Sequence, residues 1–277
     1  MKKIIIIALG LVLSSTTIAQ ENIKTTISGD VVSNYIWRGQ DLGNVSLQPM
    51  LGIGFKGMSL TAWSSVGLSN STDTKEFDLT LAYQTGGLNI GVTDYWFSAG
   101  LDPDARYFKY DAHGTNHVFE ANIGYDFGVA SLQWFTNFSG NDYKTDGKRA
   151  YSSYMEVVVP FKLSTTEWTA TVGAVPFTSV QYGTNGFAIT NLALKATKDI
   201  KVTDSFSIPI FGQVIANPCS QKAYLVLGFT LPAQSFPAPS LPPLQTGGRF
   251  MAAITLDAET FNNQQINNTK HKQLWKH

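Results

Sequence analysis

The stretch VSLQPMLGIGFKGMSLTAWSSVGL, residues 45–68, decides how the rest of the chain is read. Its odd positions up to 55 are Val45, Leu47, Pro49, Leu51, Ile53 and Phe55, and its even ones are Ser46, Gln48, Met50, Gly52 and Gly54. A two-residue period with one greasy face and one small or polar face marks a β-strand. After Lys56 and Gly57 the phase flips, and Met58, Leu60, Ala62, Val66 and Leu68 become the apolar set. A two-residue hairpin requires that flip: it sets Phe55 opposite Met58, and Gly57 supplies the positive φ that such a turn needs.

The same rule extends in both directions. A first strand is predicted over 27–38, with Val31, Tyr35 and Trp37 on the apolar face and Asp30, Asn34 and Arg38 on the other. Further alternating runs set Phe77, Leu79, Leu81 and Tyr83 against Asp78 and Thr80, and Phe119, Ala121, Ile123 and Tyr125 against Glu120, Asn122 and Asp126. Later runs set Leu132, Trp134 and Phe138 against Gln133 and Asn137, and Met155, Val157, Val159 and Phe161 against Glu156 and Lys162. Continuing to Leu231 gives about 12 strands, an even number like that of single-chain bacterial barrels. Connections alternate between short turns and longer loops rich in Asp, Asn, Gly and Ser, the longest spanning 99–115. Short turns on one rim and long loops on the other are the asymmetry of an outer-membrane barrel, and an even count leaves both termini on the periplasmic side.

Aromatic residues sort by height on the apolar phase. Tyr35, Trp37, Trp96 and Trp134 fall near the long-loop ends, and Tyr83, Tyr125 and Trp168 near the short-turn ends. Two such belts are expected at the two interfaces of a membrane. A soluble β-sandwich would also alternate, but has no reason to collect aromatics at both ends of its apolar face. The fold expected is therefore all-β, an antiparallel transmembrane barrel. Asp94 does not fit, being on an outward phase; a bulge, an interfacial position or a misplaced boundary would each account for it.

Composition supports a single barrel domain. Charged residues make up only 14% of the 277. Residues 1–19 read as a signal peptide, with Lys2 and Lys3, the apolar run 4–13, and Thr17-Ile18-Ala19 before the cleavage point. Removing them leaves 18 basic against 20 acidic residues, which argues against nucleic acid as a partner. Gln20 follows the leader, so no cysteine stands there for lipidation, and the lone Cys219 permits no internal disulfide. No Cys/His spacing suggests zinc, and no cofactor is expected. Residues 20–231 are read as the barrel, and the Pro-rich segment 232–277 as a disordered periplasmic tail, although 248–261 has the pattern of one more strand. The partners expected are outer-membrane lipids, the barrel assembly machinery during biogenesis, and small solutes.

The motif Ser33-Asn34-Tyr35-Ile36-Trp37-Arg38-Gly39 resembles the first-strand signature of the TorF-family porins, exported β-rich bacterial proteins. Residues 191–198 (NLALKATK), 209–214 (PIFGQV) and 224–229 (YLVLGF) support the resemblance, which covers about 20–231. It implies an outer-membrane location and a pore, and brings no catalytic residues with it.

The inward phases carry the expected pore-lining set: Asp30, Asn34, Arg38, Trp63, Asp78, Glu120, Glu156 and Lys195. An acidic excess in a hydrated lumen would favour cations. The same charges can instead pair across the lumen, Arg38 with a carboxylate for instance, and fill a narrow barrel. Trp63 is expected to fill space, with stacking on a solute ring the sharper reading. The function expected is passive diffusion of small hydrophilic solutes, with the loop 99–115 as the gate if there is one, and no enzymatic activity. Two alternatives are a rim lipid hydrolase built on His113 or His117, and a non-conducting barrel whose loops bind a surface ligand. His113 and His117 lie among Asp102, Asp104 and Asp111, a set that would also suit a divalent cation, but loop aspartates are usually turn formers.

Overall fold

In the computed structural model the hairpin at residues 45–68 is the repeating unit of a ring. The structure describes residues 23–69, 73–99, 105–204 and 206–232. The leader 1–19, the tail beyond Pro232 with its candidate strand 248–261, and Asp102 and Asp104 lie outside these residues. Twelve antiparallel strands form a closed barrel: β1 (Ile23–Val32), β4 (Ser46–Phe55), β5 (Met58–Gly67), β6 (Thr74–Thr85), β7 (Leu88–Ala99), β8 (His117–Asp126), β9 (Ser131–Gly140), β10 (Ser153–Leu163), β11 (Thr166–Val175), β12 (Ala188–Thr203), β13 (Phe206–Asn217) and β14 (Lys222–Pro232). Each pairs with its neighbours in sequence, and β1 closes the ring by pairing with β4 on one side and β14 on the other.

Alternation sets which way each side chain points. Leu47, Leu51 and Ile53 of β4 are exposed on the outer wall, whereas Ser46, Gln48 and Met50 are buried inside. Across the turn, Lys56 and Gly57 take positive φ (47° and 84°), Phe55 pairs with Met58, and the phase inverts as the sequence requires. Thr61, Trp63 and Ser65 then face inward, and Met58, Leu60 and Val66 outward. Leu81, Ile90, Val92, Ile123, Leu132, Val157, Val172, Leu194, Val214, Leu225 and Leu227 continue the aliphatic belt around the barrel.

One element departs from the expected meander. The first strand does not run to Arg38: β1 ends at Val32, and Tyr35–Trp37 (β2) pairs with Gln40–Gly43 (β3) as a separate two-stranded sheet. Arg38 and Gly39 form its turn, both with positive φ (49° and 79°). Tyr35 and Trp37 are consequently not girdle residues. Each is only 2% exposed and packs with Met50, Trp63, Phe135, Tyr154, Val175 and Tyr182, side chains of the barrel interior. A two-residue period reports alternation and not which surface is wet, so a hairpin folded inward reads like one more stretch of wall. Tyr83, Trp96, Tyr125, Trp134 and Trp168 do stand on the outward phase, where none is fully buried.

An aliphatic wall facing lipid has a direct test. Leu51, mid-strand on β4 and 57% exposed, is the position for it. In phospholipid vesicles L51R is expected to lower the unfolding free energy by about 2–4 kcal/mol, measured by urea titration against L51A; a loss indistinguishable from that of L51A would mean that this face is in water.

Candidate functional site

The interior of the barrel is built around the tip of the β2–β3 hairpin. Two bonds hold its root to the wall: the Ser33 amide donates to the Leu227 carbonyl at 2.8 Å, and the Leu227 amide donates to Ser33 Oγ at 3.0 Å. At the tip the Gly39 carbonyl accepts from Asn217 Nδ2 at 3.0 Å. A Cβ on Gly39 would come within 1.8 Å of the Thr190 carbonyl oxygen, so only glycine lets the turn approach β12 this closely.

Arg38 is the centre of this arrangement. Its guanidinium makes a forked pair with Glu120, Nη1 to Oε2 at 2.7 Å and Nη2 to Oε1 at 2.9 Å, and Nη1 also donates to the Tyr182 hydroxyl at 2.7 Å. Tyr95 donates its hydroxyl to the same Glu120 Oε1 at 2.7 Å. Rings enclose the cation: its central carbon lies 4.2 Å from the Phe135 centroid and 4.5 Å from those of Tyr154 and Trp37. Burial works against the Arg38 charge, and the Glu120 carboxylate overrides it, holding the guanidinium protonated well above its ordinary range. Tyr182 comes from the loop between β11 and β12 and stacks between Trp37 and Tyr154, 5.9 Å from each. In that loop the Gln181 carbonyl accepts from Gln40 Nε2, which ties loop to hairpin.

The other expected lumen residues arrange themselves around this centre. Asp78 on β6 and Trp63 on β5 are opposite each other in register and both are buried. Glu156 on β10 accepts from the Tyr154 hydroxyl through Oε2 at 3.1 Å. Lys195 on β12 lies with its ammonium 4.0 Å from the Phe211 ring and feels the Asp30 carboxylate. Asn34, at the hairpin root, borders a cavity of about 20 Å³ shared with Gln48, Lys195 and Gln213, room for a water molecule and not for a solute. Polar groups thus line the interior, and at this level the hairpin fills it. Sequence reasoning passed over Tyr95, Phe135, Tyr154, Glu76 and Tyr182. The first four were legible as inward positions by phase, Glu76 receiving the Tyr35 hydroxyl at 2.9 Å, whereas nothing local marks Tyr182 as an inward loop residue.

A second cluster occupies the outer wall. Asp94 stands in a regular stretch of β7, between Leu79 and Phe119, so neither a bulge nor a misplaced boundary explains it. Its Oδ1 lies 2.6 Å from Nδ1 of His117, and the other ring nitrogen, Nε2, meets the Tyr107 carbonyl. A carbonyl can only accept, so Nε2 carries a proton and has no lone pair free to activate a serine. Tyr110 stacks on the imidazole at 4.3 Å, and Tyr107 packs edge-on against Phe77 and Trp96. The described part of the loop expected to gate the lumen, from 105 onward, therefore lies against the outside of β6–β8; the interior is filled instead by β2–β3 and the Tyr182 loop. His113 stacks on Tyr143 at 4.3 Å. Among the described residues no group of three His, Cys, Asp or Glu side chains is placed to hold a metal ion.

No family model matches the chain and no curated protein matches it, so the TorF resemblance rests on the motif residues alone. Among the solved structures it resembles is CdiB from Acinetobacter baumannii, with 12% identity and a TM-score of 0.34 over 77% of this chain and 60% of that one. The chain thus spans less than two thirds of the length of that protein.

Removing one partner of a buried ion pair strands the other charge. E120Q is expected to destabilise the barrel by about 3–5 kcal/mol, read as a fall in the urea midpoint, whereas D94N, at a half-buried outer pair, should cost clearly less. Equal losses would deny Arg38 its central place.

Proposed function

We propose that the chain is an outer-membrane barrel of the porin type, related to the TorF family, through which small hydrophilic solutes diffuse when the β2–β3 hairpin withdraws. One observation carries this reading: a closed ring of twelve strands, aliphatic outside and with a largely polar lining, whose interior is filled by a hairpin that adds a forked ion pair and polar bonds to its aromatic contacts. A permanent core has little use for such a lining. Water can replace the polar bonds when a segment leaves, whereas a wholly apolar filling would have nothing to exchange with it. Export by residues 1–19, insertion by the assembly machinery and a wall solvated by lipid belong to the same reading.

Selectivity follows from the inventory of the interior. Asp30, Glu76, Asp78, Glu120 and Glu156 stand against Lys24, Arg38 and Lys195 on the inward phases. Once Arg38 moves away with the hairpin, the wall it leaves is net acidic and favours cations. A role without hydrolysis agrees with the engagement of both His117 nitrogens. The alternative of a non-conducting surface barrel draws on the filled interior and on an open groove of about 560 Å³ at the loop rim, lined in part by Lys144, Tyr151, Phe177 and Val180.

Planar-bilayer recording of the mature chain separates the two. Wild type is expected to show rare, discrete, cation-preferring openings, and R38A to raise the open probability about tenfold or more, the equivalent of losing at least about 1.4 kcal/mol of closure. Inserted but silent wild-type and R38A barrels would remove the pore and leave the surface-binding reading.

A further inference from the structure

We infer that Tyr95, Glu120, Phe135 and Tyr154 form a binding site for a small guanidinium-bearing solute, and that Arg38 occupies it from within the chain. This inference rests on the pore reading for its purpose, but the site itself is geometric. Four consecutive strands, β7 to β10, each contribute one inward side chain, and the register sets Phe135 directly opposite Tyr154. None of the four belongs to the hairpin. When the hairpin leaves, it takes Arg38 and Trp37 with it, and the wall keeps the Glu120 carboxylate, oriented by the Tyr95 hydroxyl, and the neighbouring rings of Phe135 and Tyr154.

The shape of that site is specific. Both Glu120 oxygens face the two Nη atoms of Arg38 in a planar fork, and the rings of Phe135 and Tyr154 lie within 4.5 Å of the central carbon. A guanidinium satisfies both demands at once, two parallel donors in the plane and a weakly hydrated face for the rings. An ammonium offers neither the plane nor the fork.

One further observation distinguishes a ligand site from an anchor. Glu156, buried on β10 beside the Arg38 site, has its Oε1 without a hydrogen-bond partner among the described residues, so the pocket holds an acceptor that Arg38 does not take up. An anchor alone would not need a buried charge, since an apolar side chain of similar volume holds a hairpin at least as well.

The test is binding, not conduction. Refolded R38A, with the full chain otherwise intact, is titrated with methylguanidinium and, separately, methylammonium while thermal unfolding is followed. The expected result is a saturable rise in Tm with methylguanidinium, an apparent affinity about tenfold or more above that for methylammonium, and loss of the response in R38A/E120Q. In the wild type, methylguanidinium should compete with Arg38 and speed hydrogen exchange of the amides over 35–43, and methylammonium should not; if R38A fails to refold, this measurement decides alone. Equal responses to the two cations, a response that survives E120Q, or unchanged exchange in the wild type would overturn the site. Binding in a barrel that never conducts would uphold the site and remove the pore; conduction without binding would do the reverse.

Discussion

Every other feature depends on closure of the ring by β1. A sheet of twelve strands left open would present two edges of unpaired backbone N–H and C=O groups, each a template for pairing with another chain. Pairing β1 with both β4 and β14 removes those edges. Closure also creates an inside, and only with an inside does the alternation of each strand divide into an apolar outer wall and a lining for water, ions or a filling segment. The hairpin, its arginine and the aromatic box are consequences of there being a lumen to occupy.

How that lumen is filled shows a balance of effects. Trp37, Trp63, Phe135, Tyr154 and Tyr182 contribute large apolar areas, worth about 1.5–3 kcal/mol for each side chain fully removed from water, and they exclude solvent from the Arg38–Glu120 pair. Exclusion strengthens the pair and raises the cost of breaking only one half of it. Rings and ions are thus not separate contributions: the rings make the pair strong, and the pair, with Tyr95 and Tyr182 bonded to it, fixes the positions of the rings.

Most of the wall was legible in the chain because period-2 alternation is local. Leu51, Leu60, Ile123 and Val157 needed only their neighbours to be assigned outward, and Asp30, Trp63, Asp78, Glu120, Glu156 and Lys195 inward. Tyr35 and Trp37 were misread because the same alternation runs on through a hairpin that has left the wall; the Arg38-Gly39 turn was the available signal, masked by its place within a strand-like motif. Pairing of Arg38 with a carboxylate was foreseeable as a type of contact, but Glu120 lies 82 residues away, and its choice over Asp78 or Glu156 is a matter of register. The position of the 105–116 segment outside the barrel depended on a contact no local pattern encodes, the His117 ring between Asp94 and the Tyr107 carbonyl.

The seam itself has a mechanical side. β1 is matched to β4 over ten residue pairs and, among the described residues, to β14 from Ser28 to Val32, and that second ladder is carried one step further by Ser33, the residue from which the hairpin departs. The ladder that closes the ring is therefore tied to the part that fills it. A pull on the hairpin is a pull on the seam, so displacing the filling and loosening the wall between β1 and β14 are strokes of a single lever.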